Sequence, residues 1–301
     1  MKRRYLLIAI MLVSSFSCGS ASMGIRHEFS YGGEIIPGRW LRNIRVPYKY
    51  EDKTGSVRVQ IFFPSGYRRG ANLRTLIVLH GYAQNLRDWE KNTPIETYAN
   101  QHDFILVCPD MGRSMYESRF YPETTSAWNR VPGSLFIGKI LLQYIRQTFN
   151  IAYERERTGI FGLSTGGRGA LLVAALYNRD FGATAGLSGD YDPQSMTEDR
   201  LLTGVYGKYE ENKERWKNDD NIMKLSPDLK GMPVFLSHGG KDSVVPRGQS
   251  VILAMKLKQL QRKYGGYEII YREKKHHSHN WRYWRSILPE LMDFFNQALK
   301  K

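Results

Sequence analysis

Residues 158–176 read TGIFGLSTGGRGALLVAAL and combine three local patterns. The first five residues form an uncharged, largely apolar run, which is typical of a β-strand buried on both faces. The pattern Gly-x-Ser-x-Gly follows at residues 162–166, and small and apolar residues then continue to Leu176. We therefore predict a strand, a sharp turn carrying Ser164 and a helix, with glycines required because neighbouring backbone passes close to the turn.

A serine hydroxyl held at such a turn can act as a nucleophile when a base and an orienting acid lie beside it. In the fold that uses this turn, the acid and then a histidine follow the serine along the chain. Asp242 follows the apolar strand at residues 234–236, and His279 follows the one at residues 267–271. Both positions belong to the same sheet edge as the turn, so we predict a catalytic set of Ser164, Asp242 and His279.

Other residues compete for the acid and base roles. Asp190 and Asp192 follow a predicted strand and could supply the acid, shape the pocket or cap the next segment. His276 and His277 lie close to His279, so either could be the base, and the three could also hold a metal. Since the serine motif already accounts for a histidine there, we expect neither a metal nor another cofactor.

Ester or acyl chemistry at Ser164 also needs donors for the developing oxyanion. The sequence Leu-His-Gly-Tyr at residues 79–82 follows a buried strand, where this fold places one backbone N–H donor. The residue after the nucleophile supplies the other donor, so we assign the two N–H groups to Tyr82 and Thr165. His80 and His238, which also lie at strand ends, are expected to be structural.

Strand and helix patterns alternate over most of the chain. Two early segments rich in Val, Ile, Tyr and Phe, at residues 38–48 and 56–63, indicate antiparallel strands joined by a turn at residues 51–55. Five later apolar runs predict strands buried on both faces, at residues 75–79, 104–108, 158–162, 234–236 and 267–271. The sequence therefore predicts one α/β domain over residues 23–301, with a mostly parallel sheet, helices on both faces and antiparallel strands at one edge.

The segment from about residue 190 to residue 230 interrupts this alternation. It is polar and too long for an ordinary connection, so we predict an insertion over the carboxyl edge of the sheet. It carries four large aromatic residues, Tyr191, Tyr206, Tyr209 and Trp216. These side chains either stack on a substrate and set its selection, or fix the insertion to the domain.

At these residues the chain resembles the esterase D-like branch of the α/β-hydrolases, which includes feruloyl and acetyl-xylan esterases, S-formylglutathione hydrolases and mycolyltransferases. The similarity extends from about Leu73 to Phe295. The matching motifs are LHG at 79–81, DW at 88–89, ERER at 154–157, GLSTGG at 162–167, LSG at 187–189 and HNW at 279–281 followed by Trp284. The resemblance implies an α/β-hydrolase fold and selects His279, within its His-x-Trp-x-x-Trp ending, over the neighbouring histidines.

The chain departs from this branch at two places. His276-His277-Ser278 stands where the branch often has a glycine just before the histidine, and Thr165 replaces the commoner Met. Neither departure removes a catalytic group, but both concern the lining of the substrate pocket.

The N-terminal 22 residues have the pattern of an export signal. A basic start (Lys2 to Arg4) precedes a short apolar run and a zone of small residues, and the run is too short to span a bilayer. Cleavage after Ser22 fits the small residues there, whereas Cys18 would be the site of lipidation if the segment is a lipoprotein signal. We expect a periplasmic, secreted or lipid-anchored protein.

The chain is basic, with 44 Lys and Arg against 29 Asp and Glu and a net charge of +15. A positive surface favours anionic surroundings, including membrane headgroups. No run reaches the five or more basic residues of a nucleic-acid-binding arm, so nucleic acid is not expected as a partner. The two cysteines, Cys18 and Cys108, exclude a disulfide scaffold.

Three functions fit these observations. The first is an exported serine esterase that hydrolyses small-molecule or polysaccharide-linked acyl or aroyl esters through an acyl-enzyme on Ser164. The second is an acyltransferase of the same fold, and the third is a surface-binding protein that has kept the scaffold. The presence of a nucleophile, base and acid in the expected order favours the first two.

Overall fold

The structure is a computed structural model, and it describes residues 31–125 and 130–300. The predicted export signal and Cys18 lie outside the described residues. Eight strands form one sheet with the order β1-β2-β4-β3-β5-β6-β7-β8. The strands are β1 (Trp40–Tyr50), β2 (Lys53–Phe62), β3 (Arg74–Leu79), β4 (Phe104–Pro109), β5 (Thr158–Leu163), β6 (Ala183–Leu187), β7 (Val234–Gly239) and β8 (Ile269–Lys274).

The direction of the strands agrees with the sequence prediction. β1 and β2 pair in antiparallel fashion, and β2 pairs antiparallel with β4. From β4 to β8 every neighbouring pair is parallel. The mostly parallel sheet with antiparallel strands at one edge is therefore confirmed.

Helices connect the parallel strands and cover both faces of the sheet. They are α1 (Asp88–Asn92), α2 (Ile95–His102), α3 (Gly133–Leu135), α4 (Leu142–Phe149), α5 (Thr165–Leu176), α6 (Arg200–Tyr206), α7 (Lys213–Asn218), α8 (Ile222–Leu225), α9 (Gly248–Tyr264) and α10 (Trp281–Ala298). A π-helical segment, Phe136–Leu141, joins α3 to α4. One hydrophobic cluster lies under α4, α5 and α9, and a second lies under α2 and α10.

Several strand boundaries differ from the prediction, including those of β1, β2, β7 and β8. β2 already begins at Lys53, because the turn from β1 needs only residues 51 and 52. The run predicted at residues 267–271 begins two residues later, at Ile269, and its side chains are partly exposed. The prediction that this strand is buried on both faces was wrong, because β8 is the edge of the sheet and pairs on one side with β7.

Residues 190–230 fold into short helical segments rather than strands. Short 3₁₀ turns precede α6, separate α6 from α7 and follow α8. The segment has a small apolar core of its own, formed by Leu202, Val205, Tyr206 and Trp216 with Met115 from outside the insertion.

The aromatic residues of this insertion serve packing: Tyr206, Tyr209 and Trp216 lie in or against the insertion's own core, and Tyr191 lies in the main core of the domain. Tyr191, Tyr206 and Trp216 have no exposed surface, and the partly buried Tyr209 packs edge-on against Trp216. The alternative in which the three buried side chains stack on a substrate was therefore wrong.

Among residues 31–125 and 130–300, no helix is both long enough and apolar enough to span a membrane.

Gly159 in β5 offers a test of how tightly the sheet packs against α10. A Cβ atom at this position would lie 2.7 Å from Phe295 Cε1 and 2.8 Å from Leu76 Cδ2. We expect Gly159→Ala to lower the free energy of unfolding by roughly 1–3 kcal/mol, as overpacking does. Urea unfolding followed by circular dichroism measures this loss in the free energy of unfolding.

Gly248 provides the matched control, because a Cβ there meets no atom within 4 Å and the residue begins α9. Gly248→Ala should leave stability unchanged or raise it slightly. An unchanged urea midpoint for Gly159→Ala would contradict the packing described for β5.

Candidate active site

Ser164 lies in a strained turn between β5 and α5. Its φ of 55° and ψ of −126° are outside the regions that L-residues prefer, at a cost of order 1–3 kcal/mol. The Ser164 N–H donates to the Leu187 carbonyl at 2.8 Å, and the Ser164 carbonyl accepts from the Arg168 N–H at 3.0 Å. Both of its backbone groups are therefore fixed by β6 and α5, which keeps the strained conformation in place.

The glycines of the Gly-x-Ser-x-Gly pattern allow this turn to pack. A Cβ on Gly162 would lie 2.4 Å from the Gly166 carbonyl oxygen, and one on Gly166 would lie 2.4 Å from the His80 carbonyl oxygen. These distances exclude any side chain. The predicted strand, turn and helix around Ser164 are confirmed.

A continuous hydrogen-bonded chain joins three side chains at the carboxyl edge of the sheet. His279 Nε2 lies 2.9 Å from Ser164 Oγ, and His279 Nδ1 lies 2.7 Å from Asp242 Oδ2. The ring can accept from the serine hydroxyl through Nε2 while its Nδ1–H donates to the carboxylate. The structure thus brings together the three side chains that the chain order indicated.

Asp242 is held as a carboxylate. Its Oδ1 accepts from the backbone N–H groups of Val244 (3.0 Å) and Val245 (2.9 Å). Burial acts to raise the pKa of Asp242, but hydrogen bonds from His238, His279 and Val245 outweigh it and hold that pKa well below its usual range. An ionised Asp242 can fix the His279 ring and stabilise its protonated form.

His238 is a partner of this carboxylate that the sequence analysis placed only as structural. Its Nε2 lies 3.2 Å from Asp242 Oδ2 and 3.0 Å from the Val245 carbonyl, and its Nδ1 lies 2.8 Å from Ser250 Oγ. A hydrogen on Nε2 and a serine hydroxyl donating to Nδ1 satisfy all three contacts. The sequence feature that could have indicated this contact is the position of His238 at the end of β7, four residues before Asp242.

Most of the competing acids and bases have other hydrogen-bond or ion-pair partners. Asp190 pairs with Arg168, and the Asp192 backbone N–H donates to Gln249. The His277 carbonyl accepts from the Lys241 N–H at 2.9 Å. None of these alternatives contacts Ser164 or replaces His279 in the hydrogen-bonded chain, and the same holds for His276.

Aromatic rings pack against the His279 imidazole and position it. The imidazole packs edge-on against Trp284, with ring centroids 5.2 Å apart. Trp281 packs against both Trp284 and Trp89. The Trp89 indole N–H in turn donates to the Leu79 carbonyl at 3.0 Å, so this stack connects His279 to the end of β3.

His80 organises the loop after β3. Its Nε2 accepts from the Met111 N–H at 2.8 Å, which leaves the hydrogen on Nδ1 to donate to the Gly81 carbonyl at 2.7 Å. Burial lowers the pKa of His80 and favours this neutral form. Because a trans peptide directs its C=O and N–H oppositely, the bond to the Gly81 carbonyl turns the Tyr82 N–H away from the ring.

Two backbone N–H groups at the edge of the cavity are available as donors. The Thr165 N–H is the first of α5 and has no partner within the helix. Within residues 31–125 and 130–300, neither it nor the Tyr82 N–H has an acceptor. Both residues line the same cavity as Ser164 and His279.

This cavity has a volume of about 460 Å³. Its apolar lining includes Trp281, Trp284 and Met115. The insertion adds Met196, Asp199 and Leu201. The insertion therefore shapes the cavity through α6 and the segment before it, and not through its buried aromatic residues.

Arg168 connects the serine turn to the insertion. The side chain is completely buried, and its Nε lies 3.0 Å from Asp190 Oδ2. One terminal nitrogen donates to the Tyr206 hydroxyl at 2.6 Å and to the Asp220 carbonyl at 3.0 Å. The guanidinium thus fixes Asp190, which lines the cavity, and the core of the insertion to α5.

Burial dominates the electrostatics of the acids beside this network. It raises the pKa of Asp190 to about 6, although Arg168 acts in the opposite direction. Burial likewise raises the pKa of Glu117 to about 7. Across residues 31–125 and 130–300, no three His, Cys, Asp or Glu side chains are grouped to hold a metal ion.

The Esterase family model matches residues 53–295. The chain belongs to this family of esterases. Over 245 residues it is 22% identical to an acetyl esterase of Caldicellulosiruptor saccharolyticus, covering 75% of this chain and 85% of that protein. Over 282 residues it is 24% identical to the diacylglycerol acyltransferase/mycolyltransferase Ag85A of Mycobacterium ulcerans, covering 84% of this chain and 80% of that one.

The fold of this esterase also matches solved structures. An S-formylglutathione hydrolase from Agrobacterium tumefaciens superposes with a TM-score of 0.67 at 16% identity, over 85% of this chain and 95% of that one. The α/β-hydrolase fold and the esterase D-like resemblance are confirmed. Because the chain belongs to this esterase family and is similar to an acetyl esterase, the protein is a carboxylic ester hydrolase.

The Arg168 network predicts a large stability effect. Arg168→Met would leave Asp190 buried without its cationic partner, and breaking a buried pair costs about 3–5 kcal/mol. We expect the free energy of unfolding, measured by urea titration at pH 8, to fall by this amount. Adding Asp190→Asn to the same chain should recover part of the loss, because it removes the unpaired charge.

Arg119→Met is the matched control, since Arg119 pairs with Asp219 at the surface, where the Arg119 side chain is 58% exposed. That change should cost less than about 1 kcal/mol. Equal losses for the two arginine variants would contradict the anchoring role of Arg168.

Proposed function

We propose that this protein is an exported serine esterase that hydrolyses acyl esters through a covalent intermediate on Ser164. The observation that supports this best is the unbroken chain of hydrogen bonds from Ser164 through His279 to Asp242. Ser164 and His279 line a cavity that Tyr82 and Thr165 also line.

In the acylation step, His279 Nε2 takes the Ser164 hydroxyl proton as Oγ attacks the ester carbonyl carbon. The carbonyl oxygen becomes an oxyanion and accepts hydrogen bonds from Tyr82 and Thr165. Each such donor contributes about 3–4 kcal/mol to stabilising the transition state. The C–O bond to the alcohol then breaks, and protonated His279 gives its proton to the departing alcohol.

In the deacylation step, His279 accepts a proton from water as the water oxygen attacks the acyl carbon. Collapse of the second oxyanion returns the proton to Ser164 and releases the carboxylic acid. Asp242 remains ionised throughout, because its pKa is held low by its hydrogen bonds. It keeps the His279 ring in the tautomer that places the accepting nitrogen toward Ser164.

Acetyl or other short acyl esters are the substrates we favour. One relative is named an acetyl esterase, and the cavity beside Ser164 is of modest volume. The alcohol part is then a small molecule or a polysaccharide. Acyl transfer to another alcohol is the second candidate, because the Ag85A relative is named as an acyltransferase.

Kinetics on a panel of esters tests this proposal. Ser164→Ala should abolish hydrolysis of p-nitrophenyl acetate, and Asp242→Asn should lower kcat by about four orders of magnitude, because His279 would adopt the wrong tautomer. Asp192→Asn is the control and should retain nearly full activity. Acetyl, feruloyl, short-chain and long-chain esters are compared, with added alcohol to detect acyl transfer.

Four results would overturn parts of the proposal. Turnover retained by Ser164→Ala would exclude the mechanism, and a larger loss in Asp192→Asn than in Asp242→Asn would reassign the acid. Transfer to the added alcohol at the expense of hydrolysis would favour the acyltransferase. A wild-type chain inactive on every ester would favour the surface-binding protein.

We also propose that the protein acts outside the cytoplasmic membrane, on the basis of the signal pattern in the first 22 residues. Cell fractionation with N-terminal sequencing should find the mature chain in the periplasmic, secreted or membrane fraction. If Cys18 is lipidated, Cys18→Ser should release the protein from the membrane fraction. Recovery of uncleaved protein from the cytoplasm would contradict export.

A further inference from the structure

A second, open cavity of about 580 Å³ adjoins the candidate active site. Three arginines line it, Arg45, Arg58 and Arg113, together with a single carboxylate, Asp110. Gln84 lines both this cavity and the one that contains Ser164. We call the second cavity the arginine groove.

The arginine groove contains a like-charge pair that folding alone does not favour. Arg45 of β1 and Arg58 of β2 are directly opposite in the antiparallel register, and both are exposed. Like charges in such a cross-strand pair destabilise a sheet. A bound anion beside the Arg45 guanidinium would offset this repulsion.

The carboxylate in the groove does not neutralise it. Asp110 Oδ2 lies 2.5 Å from Arg58 Nη2, and this single carboxylate cannot offset the charge of three arginines. Within residues 31–125 and 130–300, Arg45 has neither an ion pair nor a side-chain hydrogen bond. Its guanidinium, a planar fork of donors, suits a carboxylate or phosphate.

The groove is continuous with the loop that carries the candidate oxyanion donor. Gln84 Oε1 accepts from the Gly81 N–H at 3.1 Å, and the Ala83 N–H donates to the Gly112 carbonyl at 3.0 Å. A Cβ on Gly81 would lie 3.3 Å from Ser164 Cβ, so this loop passes directly beside the nucleophile. Gln84 is therefore the residue between Ser164 and the arginine groove that both cavities share.

We propose that the arginine groove binds an anionic group, a carboxylate or a phosphate, on the alcohol part of the ester. The substrates are then short acyl esters of an acidic alcohol, such as an acetylated uronic-acid chain or an acylated glycerol phosphate. This inference rests on the proposed esterase function for the identity of the reacting bond, while anion binding in the groove is independent of turnover.

Binding to Ser164→Ala tests the groove without requiring catalysis. Calorimetry would compare tetragalacturonate, glycerol phosphate and neutral xylotetraose, at low and at high ionic strength. We expect one of the two anions to bind and the neutral sugar not to bind, with affinity falling as salt rises. The anion that binds identifies whether the groove takes a carboxylate or a phosphate.

The second part of the experiment removes one positive charge from the arginine groove. In the Ser164→Ala background, Arg45→Gln should raise the Kd for the bound anion by at least about fivefold, because a charge-assisted contact is lost. Its thermal midpoint should not fall, since the cross-strand repulsion with Arg58 is relieved. Arg262→Gln is the control: it removes the same charge from α9, which packs on β7 and β8 at the opposite end of the sheet from β1.

Turnover by the chain with Ser164 intact then connects the groove to substrate choice. Arg45→Gln should raise the KM at least about fivefold for the acetylated form of the anion that binds. The KM values for p-nitrophenyl acetate and acetylated xylotetraose, which carry no such anion, should stay unchanged.

The proposal is wrong if neither anion binds Ser164→Ala, or if Arg45→Gln and Arg262→Gln change the Kd equally. It is also wrong if Arg45→Gln changes the KM of charged and neutral esters by the same factor. Failure of all ester turnover, with anion binding that depends on Arg45, would refute the esterase proposal and leave the groove intact.

Discussion

The strained backbone at Ser164 is the constraint on which the rest of the site depends. The residue keeps its unfavourable φ because the Leu187 carbonyl of β6 and the Arg168 N–H of α5 bind its two peptide groups. The same turn requires close contact between Gly166 and the end of β3. The packing that holds the nucleophile thus also fixes where the oxyanion loop begins, so the two parts of the site are not positioned independently.

Around this turn, three buried polar contacts hold neighbouring segments in place. His80 orients the peptide before Tyr82, and His238 supports Asp242. Arg168 fixes the insertion to the helix that follows Ser164. Each contact is buried, where an unpaired partner is costly, so each segment has a single favoured position. The polar side chains that touch no substrate therefore account for much of the site's geometry.

The presence of a mostly parallel sheet with antiparallel edge strands, the serine turn and the positions of Asp242 and His279 followed from local patterns: apolar runs, closely spaced glycines and residues just after strands. The burial of Tyr206 and Trp216 could not be predicted, because it depends on how the insertion folds onto Met115, far away in the sequence. The exposure of β8 depended on its place at the sheet edge, which an apolar run does not reveal. The support of Asp242 by His238 required the path of the loop after β7, and the Arg45 and Arg58 pairing required the strand register.

The most direct test of the account is covalent labelling of the wild-type protein with a fluorophosphonate, followed by peptide mapping. An activated serine reacts with this probe, whereas an ordinary serine hydroxyl is a poor nucleophile. The account predicts one adduct per chain, located on Ser164, and its loss in His279→Ala with the fold retained. No labelling of the folded protein, or an adduct on another residue, would contradict it.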